Sequence, residues 1–222
     1  PAELDRYAGR LALPDPGRPP GPVTRLAPSG YVRVEQGPAV ALLDVGSIGP
    51  DYLPAHAHAD TLSFEFSLFG QRLLVNSGIS CYGSDAERLR QRGTAAHNTV
   101  VVDGQNSSEV WSGFRVARRA RPFGLEVTGA GPVVVRCAHD GYRWLPGKPQ
   151  HARQWSLDGD SLVIEDTLTG SYRAAQARFH LHPAIAVLDA GREGTAVLAL
   201  PGGQRVRFSI EGGVLQRQST TW

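Results

Sequence analysis

The chain has 222 residues, with Lys+Arg 23 against Asp+Glu 21, 41% hydrophobic and 20% charged residues. These are globular values that exclude a disordered or low-complexity chain, and a net charge of +2 is too weak a bias to argue for a nucleic-acid partner. No apolar run approaches the roughly 20 residues of a bilayer span. The start, PAELDRYAGRLALPDPG, lacks the regions of a signal peptide, and a chain without methionine that begins at Pro1 is expected to be a piece of a longer protein.

In chain order, residues 1–22 are rich in proline (Pro14, Pro16, Pro19, Pro20, Pro22) and read as a connector, so the folded domain is expected over 23–222. From there short β-type runs are broken by Gly, Pro, Asp and Asn: Tyr31 to Glu35, Ala39 to Val45, Thr61 to Phe69, Arg72 to Asn76, Asn98 to Asp103, Phe114 to Arg121, Val133 to Ala138, Gln154 to Leu157, Leu162 to Asp166, Ala175 to Leu181, Ala196 to Leu200 and Arg205 to Ile210. Asp158-Gly159-Asp160 and Phe69-Gly70-Gln71 are hairpin signals. Only Asp85 to Gln91 reads as helical, and briefly. The expected fold is therefore all-β: an antiparallel sandwich of jelly-roll type with no substantial helix. Cys81 and Cys137 make at most one pair, too few for a disulfide scaffold.

Chemistry concentrates between His56 and Asn98. Read with period two, His56, His58, Asp60, Leu62, Phe64 and Phe66 share one face of a strand whose histidine end is polar. The turn at Gly70 returns Asn76 to that end, and a third strand opens on His97-Asn98-Thr99, so His58, Asn76 and His97 are expected at one rim. Two imidazoles and an oxygen ligand suit a divalent metal, zinc by preference; histidines at a strand end are also commonly held by ordinary hydrogen bonds. A cupin site also begins H-x-H, but its glutamate follows within four residues, whereas Glu65 comes seven after His58 and on the other face. Arginines cluster at Arg88, Arg90 and Arg92 and again between Arg115 and Arg121; their planar fork suits carboxylates or phosphates, and for the second cluster a solvated sheet face is the plainer reading.

The segments PAHAHADTLSFEFSLFGQRLLVNSG and RGTAAHNTVVVDGQNSSEVW resemble the C-terminal β-sandwich domain of the heparinase II/III-like polysaccharide lyases, and SGYVRV at 29–34 and RFHLHP at 178–183 extend the likeness over most of 29–183. The resemblance implies a larger lyase, an α/α toroid followed by this sandwich, acting by β-elimination on uronic-acid polysaccharides in the periplasm or outside the cell. It implies zinc held at His58, Asn76 and His97, although position 76 carries an amide where the family's pattern has an aspartate. It further implies that His56 and Tyr82 serve catalysis, with Arg88 and Arg92 as contacts for substrate carboxylates. Asp60 and Asn98 are expected to orient their neighbours, and His180 and His182 to be strand-end residues of the fold. Because most groups of such a site lie on the toroid, this chain alone is expected to be inactive. The competing reading is a non-catalytic sandwich that binds an acidic glycan, its histidines purely structural.

Overall fold

The computed structural model describes residues 6, 9–12, 21–189 and 194–220, so the proline-rich connector falls almost wholly outside the described residues. The architecture is antiparallel β. A five-stranded sheet runs in sequence order through β1 (Val23–Leu26), β2 (Tyr31–Gln36), β3 (Ala39–Asp44), β4 (Phe64–Leu68) and β5 (Gln71–Leu74). After helix α1 (Ala86–Arg92) come β6 (Val100–Val102) and a two-stranded hairpin of β7 (Val110–Trp111) and β8 (Arg115–Val116). A second large sheet follows, formed by β9 (Pro122–Thr128), β10 (Val133–His139), β11 (Gln150–Asp158) and β12 (Ser161–Thr169) in the order β12-β11-β10-β9. Strand β13 (Ala175–Ala177) pairs with β6, and β14 (Ala186–Asp189), β15 (Thr195–Ala199) and β16 (Arg205–Ser209) form a small meander.

Alternation explains the layering. In β3 the residues Ala39, Ala41 and Leu43 are buried while Val40, Leu42 and Asp44 are only partly so, and in β11 His151, Arg153, Trp155 and Leu157 are the buried set. The inner faces meet as one core in which Val32, Val34, Leu43, Phe64, Phe66 and Leu68 face Val135, Cys137, Trp155 and Leu157, with Leu198 and Leu200 closing one end. The Phe64 and Trp155 rings meet edge-on, 6.4 Å apart, joining the two sheets at the level where β4 emerges from the histidine segment. Each such side chain contributes about 1.5–3 kcal/mol by leaving water, which is what fixes the register of β4 beneath the site.

Several sequence expectations are corrected. β4 begins at Phe64, not Thr61, because Leu62 turns into the left-handed region (φ 64°) to bury its side chain, which breaks the extended path. The run Phe114 to Arg121 is not one strand: the β7–β8 hairpin turns at Ser112 and Gly113, and β9 starts only at Pro122. β1, β7, β9 and β14 are additional, β9 being obscured in the sequence by Pro122 and Gly124, which read as breakers but sit beside a register shift against β10. Cys81 and Cys137 are both free thiols.

Candidate functional site

The histidine segment is turn and loop between β3 and β4, paired with no strand among the described residues, and its alternation has a different cause. Ala57 and Ala59 are buried and their main-chain groups are satisfied by side chains and loops: Arg92 Nε donates to the Ala57 carbonyl (3.0 Å), Thr94 Oγ1 and Ser107 Oγ donate to the Ala59 carbonyl (2.7 and 3.2 Å), and Ala59 N donates to the Arg92 carbonyl (2.8 Å). With the alanines turned inward, His56, His58 and Asp60 are left on the opposite side and all three line a cleft of about 750 Å³. Asp44, Tyr31, Pro122 and Leu125 also line it. At its edge Gly30 (φ 75°) and Gly46 pack main chain on main chain; a Cβ on Gly30 would meet the Gly46 Cα at 2.2 Å.

His97 arrives from the other direction. Helix α1 is capped by Asp85, whose side chain accepts from Arg88 N (2.7 Å), and it ends at Gly93, leading into a 3₁₀ turn at Thr94–Ala96. Behind this turn Tyr142 is fully buried and donates to the Val100 carbonyl (2.6 Å), which anchors β6. Asn98 donates to the carbonyls of Phe64 and Val75 (2.8 and 3.1 Å) and accepts from His180 N (2.6 Å), so it orients the strands on either side of it, as expected.

One ligand atom each from His58, Asp60 and His97 lies within 4.8 Å of the others, a cluster able to hold a metal ion. Asp60, expected to orient a neighbour, also stands within reach of His58 and His97 as a third possible ligand. Asn76 stands beside it, its Oδ1 3.0 Å from His97 Nδ1. With Nδ1–H donating to that amide, the lone pair of His97 is on Nε2, which is buried and makes no hydrogen bond of normal length among the described residues. A buried imidazole beside a carboxylate and a second imidazole fits a divalent cation.

The electrostatics agree. Burial first, then the neighbouring Arg92 and Arg88, lowers His58 to about 4, and burial with the nearby His58 and His180 lowers His97 to about 3, so both imidazoles are neutral at ordinary pH. Burial raises Asp60 to about 7, and burial together with Asp60 pushes Asp44 well above the usual carboxylate range. Burial, Asp44 and Asp60 raise Tyr31 to about 12.

On the exposed rim, the His56 ring meets Tyr82 edge-on at 6.0 Å and Phe114 at 6.4 Å. The structure thus brings His56 and Tyr82 together. Phe114, 45% exposed, is a third member that sequence reasoning missed, since it sat inside a run read as strand. Arg88 and Arg92 are placed otherwise than expected. Both are buried, at 1% and 0% exposure, and their guanidinium groups are taken up by main-chain carbonyls, so neither faces a substrate carboxylate across solvent. Their helix packs inward on the hairpin, and only Arg90 of the three turns out, pairing with Glu87. His180 donates from Nε2 to the Ala95 carbonyl (3.1 Å), a fold contact beside the strand end.

Sequence reasoning also missed a second polar cluster. Asp166 accepts from Arg153 twice (2.7 and 2.9 Å) and from His151 Nε2 (2.7 Å); His151 Nδ1 lies 3.2 Å from His139 Nε2, and His139 Nδ1 accepts from Gly141 N (3.0 Å). Arg153 also donates to the carbonyls of Leu62 and Asn98 (2.9 and 2.6 Å). The turn at Gly159 was the available signal, since closing it tightly sets Arg153 opposite Asp166.

The sequence profile of the family "Heparinase II/III-like, C-terminal" matches residues 18–222. Among solved structures, a crystal structure of heparinase III is 20% identical with a TM-score of 0.67, over 85% of this chain and 29% of that one. The heparan sulfate lyase HepC from Pedobacter heparinus is 17% identical with a TM-score of 0.60, over 94% and 38%. A further heparinase III structure has 17% identity and a TM-score of 0.67, over 93% and 32%. The chain thus spans about a third of the length of these structures, and at such identities the likeness is one of fold. A comparison with curated proteins returns no match. Taken with the matching profile, the antiparallel sandwich places this chain in the heparinase II/III-like family, to which it belongs through its C-terminal domain.

Proposed function

We propose that this chain is the C-terminal sandwich of a polysaccharide lyase that cleaves uronic-acid-containing chains by β-elimination, with an α/α toroid supplied by residues outside it. The single observation that carries the reading is the rim itself, where His56 stands in ring contact with Tyr82 and lines one cleft with His58 and Asp60, the latter two grouped with His97. In such an elimination a base takes the C5 proton, its electrons form the C4–C5 double bond, the C4–O4 bond breaks and O4 is protonated. An imidazole and a phenol are suited to the two proton transfers, and His56 and Tyr82 are assigned to them. The carboxylate that acidifies C5 needs a cationic or amide partner, and the inward-facing Arg88 and Arg92 leave that part to the toroid.

Zinc is the ion assigned to His58, Asp60 and His97, where it would supply positive charge against Asp60 and Asp44. Asn76 keeps the His97 ring in place through Nδ1. The sandwich is taken to be a unit over 23–222 following a connector. A polymeric acidic glycan as substrate puts the protein in the periplasm or outside the cell.

The test uses the natural full-length protein and acidic polysaccharides such as heparan sulfate and alginate, following the ultraviolet absorbance of the unsaturated uronate. The expected result is turnover that His56→Ala abolishes, and none from residues 1–222 alone. Oligosaccharide binding without turnover by the full-length protein would replace the lyase with a glycan-binding domain.

A further inference from the structure

One guanidinium touches all three loops of the rim. Arg88 Nη2 donates to the carbonyl of Ala55 (3.3 Å), Nη1 to that of Cys81 (3.1 Å), and Nε to that of Gly113. Those are the residues immediately before His56, Tyr82 and Phe114. The same group lies 5.2 Å from the Tyr82 ring centroid and 4.5 Å from that of Phe114, so it also underlies the aromatic side chains its hydrogen bonds present. Arg88 is 1% exposed, whereas Tyr82 is 60% and Phe114 45% exposed. Among the described residues no carboxylate pairs with its guanidinium; Asp85 is bonded to its main-chain N–H instead. A buried cation without an anion is costly to hold and needs a full set of acceptors, and three carbonyls in three directions supply it. Only arginine can do this, because the three donors are separate atoms of a rigid plane, whereas a lysine offers a single point.

We propose that Arg88 is the positioning residue of the rim: through three main-chain carbonyls it sets the mutual placement of His56, Tyr82 and Phe114, and it acts on the reaction through them without touching substrate. The proposal rests on the assignment of His56 and Tyr82 to proton transfer. It makes the rim a unit: the three loops, 26 and more residues apart in sequence, open together or not at all.

The experiment has two parts. In the full-length protein, Arg88→Lys is compared with the unsubstituted enzyme for kcat, KM and bound zinc. The expected result is a kcat lower on the order of 100-fold, the size of effect that misplacing reacting groups by about an ångström produces, with KM within about twofold and zinc content unchanged. A raised KM at unchanged kcat would mean that Arg88 contacts substrate, and unaltered kinetics would mean that it does nothing for the rim; either overturns the proposal. The second part needs neither activity nor a variant and decides the case if Arg88→Lys fails to fold or the protein proves not to be a lyase. Hydrogen exchange of the unsubstituted chain should show segments 55–57, 81–83 and 112–115 opening with one rate and one denaturant dependence. Independent opening of the three sinks the idea.

Discussion

Two clusters in this molecule are built from the same side chains and have opposite characters. Around Asp166, two histidines, an arginine and a carboxylate are joined so that each ring nitrogen has one partner: Asp166 accepts from His151, His151 accepts from His139, and His139 accepts from the Gly141 amide. Around Asp60, two histidines and a carboxylate face one another, and His97 Nε2 has no partner. The inner cluster is closed and belongs to the scaffold; the rim cluster is open among the described residues and is able to hold a metal ion. Arg153 connects them, since the guanidinium that neutralises Asp166 also holds the carbonyls of Leu62 and Asn98, the residues flanking the loop of Asp60 and the turn of His97.

The largest expected effect breaks the inner cluster. Arg153→Leu takes the countercharge from Asp166, whose side chain is 20% exposed, and strips two buried carbonyls of a donor, so unfolding in urea should show a loss of about 2–4 kcal/mol. A loss below about 1 kcal/mol would mean that this network is not structural. Next, Asp60→Asn and His97→Ala should each weaken zinc binding by at least about 100-fold by isothermal titration, whereas His151→Ala should leave zinc affinity alone while lowering the melting temperature. The reverse pattern would exchange the two roles.

Acid separates the clusters differently. Burial keeps His139 and His151 below their ordinary titration range in the fold, so the unfolded chain takes up protons that the folded chain does not. Their stabilisation is therefore full above about pH 6.5 and is lost as pH falls, by up to about 1.4 kcal/mol per pH unit for each histidine. Asp166, held below the usual carboxylate range by Arg153 and His151 against its own burial, adds a further loss below about pH 4. Denaturation midpoints at pH 7.5, 6 and 5 check this; a flat profile would contradict buried neutral histidines. The smallest change is Asn76→Asp, which puts a second carboxylate beside His97 and should tighten zinc by about tenfold or less. Chelator should lower the melting temperature of this variant more than that of the original chain.

The strands around turns were legible because Gly70 and Gly159 stand between alternating runs and leave little choice of register. The metal-capable group was half legible: His58 and His97 carried it, but Asp60 was assigned a supporting part because the period-two pattern said only that it shares a side with His58, not that a turn at Leu62 folds it toward His97. Arg88 and Arg92 were misread for a deeper reason. Three arginines on a short helix read as solvated side chains, and nothing local reveals that main-chain carbonyls 20 and more residues away are waiting for two of them. Phe114 was invisible as a site residue for the same reason.

The facing glycines at the edge of the cleft carry one more consequence. Because Gly30 and Gly46 touch through their main chains, the gauge of the entrance is fixed by two backbones in contact and not by any side chain. Substituting either one would wedge the β1–β2 turn away from the end of β3 instead of narrowing the mouth, so descendants of this sequence could retune what enters only by changing the lining farther in, at positions such as Tyr31, Leu53 or Leu125.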